Sequence, residues 1–342
     1  MIDYQAIIFA FVGGLGLFLF GLKFMSGALQ EVTGDKMRSL LEKGTKNPVR
    51  GVFTGVIVTG LIQSSTATTI LTVGLVNAGL LTFRQAIGII MGANIGTTAT
   101  VYLIGFNLRD YVLPIIAVGV LVHMFSSNKK AKLIGQAILG FGILFFGLGI
   151  MGDGMYPLKD MPFFINMLTG IENNALLGVI IGVIFTGLVQ ASSATIGVMQ
   201  ELAFQGAMTY HQCVPILFGD NIGTTVTALL AAIGTGVAAR RAAFTHFLFN
   251  VIGTIIFLPL FVAGIFEKMV IGFTNYLFIL IPGNVGWDML NVKLQIAQTH
   301  LVFNAANTLI QLPFVAVLAY IVTKLIPDRK EEGEEIFQAK YI

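Results

Sequence analysis

Two stretches of this chain repeat each other at a fixed distance, and this repeat constrains the fold more than any other feature. Residues 51–66 read GVFTGVIVTGLIQSST, and residues 178–193 read GVIIGVIFTGLVQASS. The two segments align without a gap. The same distance of 127 residues carries GANIGTT, which begins at residue 92, onto GDNIGTT, which begins at residue 219. Self-similarity of this kind predicts a chain built from two homologous halves.

A third match extends the repeat towards the N-terminus, because LFGL at 19–22 resembles FFGL at 145–148, one residue off the main distance. We therefore place the repeats at 5–127 and 130–265. Two further parts follow them, namely C-terminal helices at 266–327 and a tail at 328–342.

The composition predicts that both halves lie in a membrane. Hydrophobic residues make up 56% of the chain and charged residues only 11%, whereas soluble domains carry about 25% charged residues. A membrane-spanning helix needs roughly 20 apolar residues, and nine apolar stretches are candidates. They lie near residues 6–29, 51–81, 86–104, 111–126, 133–152, 176–200, 204–234, 242–264 and 294–325.

Four of these stretches, the second, third, sixth and seventh, are interrupted by glycine and hydroxyl residues, which predicts re-entrant hairpins or broken helices. Residues 35–47 and 157–170 are candidates for short helices beside the hairpins. Residues 269–282 are apolar but too short to span a bilayer. The predicted fold class is an all-α polytopic membrane protein with two inverted-topology repeats.

The inversion follows from loop charges, because short cytoplasmic loops are rich in lysine and arginine. The loop after the first span holds five such residues, whereas its counterpart at 153–176 holds only Lys159. The loops after the two Thr-Thr segments show the opposite bias. The loop in the second repeat holds Arg240 and Arg241, whereas its counterpart in the first repeat holds only Arg109. Equivalent loops therefore lie on opposite sides of the membrane. This places the N-terminus outside and the 328–342 tail in the cytosol.

The polar repeats are costly in a membrane unless they face protein or a water-filled cavity. Paired interruptions in inverted halves point to a substrate site near the bilayer midplane. Hydroxyls, amides and helix N-termini suit a small oxyanion, while hydroxyl and carbonyl oxygens suit sodium. No lysine or arginine lies inside the four motifs, so co-bound cations are expected to supply positive charge.

Several single residues leave alternatives open. Asp220 stands where the first repeat has Ala93, and it is a candidate cation ligand or proton carrier, or else a partner for an arginine or a helix cap. Glu201 is a candidate for a hairpin end. Two similar segments carry His246 with Asn250 and His300 with Asn304, which either join helices or line the pathway.

Other functions find little support in the residues. The single cysteine, Cys213, precludes an internal disulfide. The sequence lacks a metal cluster, a nucleophile with its base, a phosphate-binding loop and a basic aromatic stripe. We therefore expect no enzyme activity, no cofactor and no nucleic acid.

At the paired motifs the chain resembles the type II sodium/phosphate cotransporter family, in its bacterial branch. The resemblance rests on two Gln-Ser-Ser motifs, each followed by a Gly-x-Asn-Ile-Gly-Thr-Thr segment, and covers about residues 10–320. It implies sodium-driven import of inorganic phosphate by alternating access, in a protein of the bacterial inner membrane. The implied partners are phosphate, sodium ions and the lipid bilayer, and a homodimer is left open.

The resemblance also implies site residues. The implied phosphate ligands are Gln63, Ser64, Ser65, Gln190, Ser192 and Ser193. From the residues themselves we expect sodium ligands or supports of the broken helices at Thr66, Thr68, Asn94, Thr97, Thr98, Thr195, Asn221, Thr224 and Thr225, with Asp220 as a further candidate sodium ligand.

Two departures from the family pattern are visible. Ala191 replaces the first serine of the second motif, and Phe247 follows His246 where electrogenic animal members have an acidic residue. The competing interpretations are a transporter of sulfate, arsenate or a carboxylate, an anion channel, and an intramembrane enzyme acting on phosphorylated lipid.

Overall fold

The computed structural model describes residues 4–279 and 286–327, and within these ranges the regular structure is helical, with no strand. The predicted tail at 328–342 lies outside the described residues. The helices are α1 Tyr4–Gly44, α2 Pro48–Ile62, α3 Ser65–Asn77, α4 Phe83–Gly105, α5 Val112–Phe125, α6 Lys129–Met155, α7 Pro162–Asn173, α8 Ala175–Val189, α9 Ser192–Phe204, α10 Tyr210–Gly223, α11 Thr225–Ala231, α12 Val237–Val262, α13 Ile265–Ile279, α14 Val292–Gln311 and α15 Val315–Leu325.

Six helical segments in the described part are long and apolar enough to cross a membrane. A seventh arises if α7 and α8, which meet at a bend of 115°, count as one broken span. Large apolar side chains such as Phe9 and Leu188 are exposed on the surface, at 65% and 78%. This is the pattern that a lipid-facing surface requires.

Two predicted stretches, 51–81 and 176–200, are indeed broken, each into a pair of helices of 15 and 13 residues. The stretch at 204–234 is also interrupted, between α10 and α11 at Thr224. The prediction of an interruption in 86–104 is wrong, because α4 runs without a break.

The short helix predicted at 35–47 is also not separate, because α1 continues to Gly44. The segment predicted at 157–170 forms a 3-10 turn and then α7. The stretch at 294–325 divides into α14 and α15 around a 3-10 turn that contains Pro313. A proline lacks the N–H that a continuous helix needs at this place.

The helices α1 and α6 lie against each other backbone to backbone. A methyl group added at Gly21 would lie 2.4 Å from the amide nitrogen of Leu144, and one at Gly140 would lie 2.5 Å from that of Met25. Small residues allow such an approach between membrane helices. Helices of both broken pairs pack against α1 and α6.

Equivalent glycines join the first helix of each broken pair to the helix that follows the pair. A methyl group at Gly92 would lie 2.0 Å from the carbonyl oxygen of Val52, and one at Gly219 would lie 2.0 Å from that of Val179. Both contacts are related by the repeat distance. The local packing is therefore the same around both motifs, while the repeat boundaries and the inverted orientation stay predictions.

Candidate functional site

Each Gln-Ser-Ser motif lies at the break between two helices. Gln63 ends α2 with φ 54° and ψ 34°, and Gln190 ends α8 with φ 57° and ψ 27°. They are the only residues other than glycine with positive φ in the described chain. A left-handed conformation costs an ordinary residue about 1–2 kcal/mol. Strain of this kind clusters at functional sites.

The two glutamine side chains differ in their contacts. The Gln63 amide donates to the carbonyl oxygen of Gly60 and is half-buried. The Gln190 side chain is exposed and has no hydrogen bond within the described residues. Gln190 is therefore the glutamine whose amide is unoccupied in this conformation.

The helices after the breaks begin differently. The Ser64 hydroxyl accepts a hydrogen bond of 3.1 Å from the amide of Ala67 and so caps α3. Ala191 occupies the matching place before α9 and provides no side-chain cap. The missing hydroxyl noted in the sequence therefore leaves the start of α9 without the bond that stabilises the start of α3.

The two breaks meet at a cavity of about 300 Å³. This volume is at the lower limit of ligand pockets, which suits a small ligand. Eight of the sequence-predicted site residues line it together. They are Gln63, Ser64, Ser65, Thr66, Thr97, Gln190, Ser192 and Ser193.

The other eight predicted site residues do not line this cavity. Two of them connect the arms of the broken pairs. The Thr59 hydroxyl donates to that of Thr68 at 2.9 Å, and the Thr186 and Thr195 hydroxyls lie 2.7 Å apart. Thr195 also lines a separate apolar cavity.

Asp220 lies on α10, behind the second break, and is completely buried. The Thr186 hydroxyl donates to its Oδ1 at 2.8 Å, while its Oδ2 has no partner in the described structure. A buried carboxylate needs pairing or a cation. Asp220, Thr186 and Thr195 thus present four side-chain oxygens in one buried cluster.

The four threonines of the Thr-Thr segments bond to backbone carbonyls three or four residues before them in the chain. Thr97 and Thr224 donate to carbonyls four residues earlier at 2.9 Å. Thr98 and Thr225 donate to carbonyls three residues earlier, at 2.6 and 2.7 Å. These bonds shape the helices and leave hydroxyl lone pairs available.

The two asparagines take different partners. The Asn94 oxygen lies 3.1 Å from His246 Nε2, so this histidine joins α4 to α12. Asn221 donates to the Leu217 carbonyl of its own helix at 2.8 Å. Asn250 donates to the carbonyl of His246 in the same way, and Asn304 to that of His300.

The far end of α9 carries a buried ion pair. The Lys293 ammonium lies 2.5 Å from Glu201 Oε2, with side chains 5% and 1% exposed. Arg109 lies 3.4 Å from Oε1 of the same carboxylate. The ion pair between Glu201 on α9 and Lys293 on α14 therefore joins the second broken pair to α14.

Sequence reasoning missed four polar residues that line the cavity, namely Lys23, Ser26, Thr100 and Thr227. The repeat distance relates Thr100 to Thr227, so following the matched segments two residues further would have found both. Lys23 is a charged residue inside an apolar span, which is by itself a signal of function. Positive charge is therefore present at the cavity wall, although none lies within the motifs.

The described residues form several membrane-length helices, and two broken helix pairs surround a small polar cavity. These are features of a multi-pass membrane transport protein. The sequence profile of the Na+/Pi-cotransporter family matches residues 17–153 and 161–282. The chain belongs to that family.

Relatives include proteins from bacteria and animals. YqeW of Bacillus subtilis, described as uncharacterized, is 28% identical over 94% of this chain and 99% of its own length. YjbB of Escherichia coli K12, a putative inorganic phosphate export protein, is 24% identical over 94% of this chain and 56% of its own length. Human sodium-dependent phosphate transport protein 2B is 34% identical over 38% of this chain and 20% of its own length. No solved structure matches the chain.

Proposed function

We propose that this protein is a secondary transporter that couples the movement of inorganic phosphate across a bacterial inner membrane to sodium ions. The observation that carries the proposal is the cavity between the two Gln-Ser-Ser breaks. Family membership supports phosphate as the substrate. The name of the human relative supports sodium as the coupling ion.

Phosphate would occupy the cavity between the breaks. The hydroxyls of Ser65, Ser192 and Ser193 and the free Gln190 amide are donors for its oxygens. The uncapped first turn of α9 adds backbone N–H groups and the positive end of a helix dipole. We assign Gln63 and Ser64, which already make local bonds, to holding the first break in shape as well as to lining the site.

Sodium would occupy oxygen-rich positions behind the breaks. Asp220 supports this assignment most directly, because its Oδ2 is buried and unpartnered beside the Thr186 and Thr195 hydroxyls. Carboxylate and hydroxyl oxygens suit a hard cation. Thr66, Thr68, Asn94 and the Thr-Thr segments would complete the ion sites or hold their helices.

Import is the proposed direction, because an inward sodium gradient drives a symported anion inward. The name of YjbB favours export as a second candidate. Alternating access between two homologous halves is compatible with either, because the gradients decide the net direction. An outside N-terminus and a cytosolic C-terminus are part of the proposal, which does not depend on whether the protein is a monomer or a homodimer.

The test is uptake of radiolabelled phosphate into proteoliposomes under an inward gradient of sodium, potassium or protons. Saturable uptake with sodium alone is the expected result. Equal uptake with potassium would contradict the coupling, and current that follows voltage without sodium would indicate a channel. Competition by unlabelled sulfate, arsenate and succinate separates phosphate from the other anions. Efflux from phosphate-loaded vesicles tests export.

A further inference from the structure

Lys23 is the one charged residue among the described residues that line the cavity. It lies on α1, within the apolar segment Tyr4–Gly34 that is long enough to cross a membrane. Charged residues are costly within a membrane-spanning helix and are found where they face a cavity or a partner. No acidic side chain pairs with Lys23 within the described part of the chain.

The helix presents Lys23 to the breaks as part of a continuous face. Leu19, Leu22, Lys23 and Ser26 all line the cavity. Their spacing of three and four residues places them on one side of α1. The apolar stem of a lysine can lie along the two leucines while its ammonium reaches the polar part of the cavity.

The second repeat has no charge equivalent to Lys23. The match of LFGL with FFGL relates Lys23 to Gly149 on α6. The repeat therefore supplies two nearly equivalent sets of hydroxyl and amide donors but only one ammonium. The cavity as a whole is a positively charged site and not a neutral one.

We propose that Lys23 is a phosphate-binding residue, whose ammonium supplies the charge that admits an oxyanion between the two breaks. This rests on the proposed function. The same charge disfavours sodium at the α1 wall, so the ion sites lie on the Asp220 side. Lys23 therefore governs the affinity for phosphate and not the response to sodium.

The test compares Lys23→Gln and Lys23→Arg in proteoliposomes. Loss of one charge-assisted contact should raise the KM for phosphate about tenfold or more, with the sodium concentration for half-maximal uptake unchanged. Arginine should restore most of the affinity. The control is Lys129→Gln, because Lys129 makes an exposed pair with Glu31 at 2.8 Å, away from the cavity.

Charge can also be restored chemically on one folded protein. Cys213 is the single cysteine, so Lys23→Cys on a Cys213→Ala background carries one thiol. An aminoethyl thiosulfonate reagent adds an ammonium and should recover uptake, whereas the sulfonatoethyl reagent should not. Phosphate should slow both labelling reactions.

The outcomes separate this inference from the proposed function. If the unmodified protein shows no sodium-driven phosphate uptake, the proposed function is wrong. If it transports phosphate and Lys23→Gln leaves the KM unchanged, or both reagents restore uptake equally, the role of Lys23 is wrong. A Lys23→Gln protein that fails to fold leaves the thiol experiment as the decisive test.

Discussion

Gln63 and Gln190 lie 127 residues apart in the chain and adopt the same left-handed backbone conformation, with φ of 54° and 57°. Each ends one helix of a broken pair, and both line one cavity. Their side chains differ, because Gln63 is bonded to Gly60 while Gln190 has no hydrogen bond within the described structure.

The Gln190 side chain can be separated from its backbone by two substitutions. Gln190→Ala removes the amide and keeps a residue that is strained at positive φ, whereas Gln190→Gly removes the amide and relieves about 1 kcal/mol of strain. We expect both to abolish phosphate uptake, with the glycine variant melting at the higher temperature. Full uptake by Gln190→Gly would show that only the backbone matters.

Restoring the missing cap of α9 should stabilise the protein. Ala191→Ser places a hydroxyl where Ser64 caps α3, and an N-cap contributes about 1 kcal/mol. We expect a higher melting temperature in detergent. Ser64→Ala is the matched opposite and should lower it. A lower melting temperature for Ala191→Ser would mean that its hydroxyl cannot reach the helix amides.

Asp220 is expected to control the sodium dependence. Asp220→Asn keeps the shape and the acceptor for Thr186 but removes the charge. The sodium concentration for half-maximal uptake should rise by about tenfold or more, the scale of a lost charge-assisted contact. Sodium titrations at saturating phosphate measure this change. An unaltered sodium curve would leave Asp220 as a structural residue.

The Glu201–Lys293 pair should behave as a unit in stability measurements. Lys293→Met leaves a carboxylate in a buried site and should cost about 3–5 kcal/mol. Adding Glu201→Gln should recover much of that loss. The single tryptophan, Trp287, lies five residues before the start of α14 and provides a fluorescence probe of unfolding. Additive effects in the double variant would contradict the coupling.

The sequence predicted the broken pairs because glycine and hydroxyl residues interrupt the apolar pattern at both Gln-Ser-Ser motifs. The same rule failed in α4, which runs unbroken past Thr97 and Thr98, although Thr224 and Thr225 make the same local bonds at an interruption. Polar residues in a membrane segment are thus found either at a break in the helix or within an uninterrupted helix, and composition alone does not distinguish the two.

The sequence of α1 alone does not show that Lys23 lines the cavity. Its charge is visible in the sequence, but the side of α1 that meets the breaks depends on the glycine contacts with α6, such as that of Gly21 with Leu144. Asp220 was recognised because it departs from the repeat. Its hydrogen bond to Thr186 was not predictable, because it depends on how α8 and α10 pack.

The ion pair at the end of α9 has a consequence for biosynthesis. Glu201 is made 92 residues before Lys293, so a chain emerging from the ribosome presents the carboxylate to the membrane before its nearest cation exists. Arg109 has already been made by then, and it lies on the same carboxylate. The ion pair that joins the second broken pair to α14 therefore forms only late in synthesis, after Lys293 has been made.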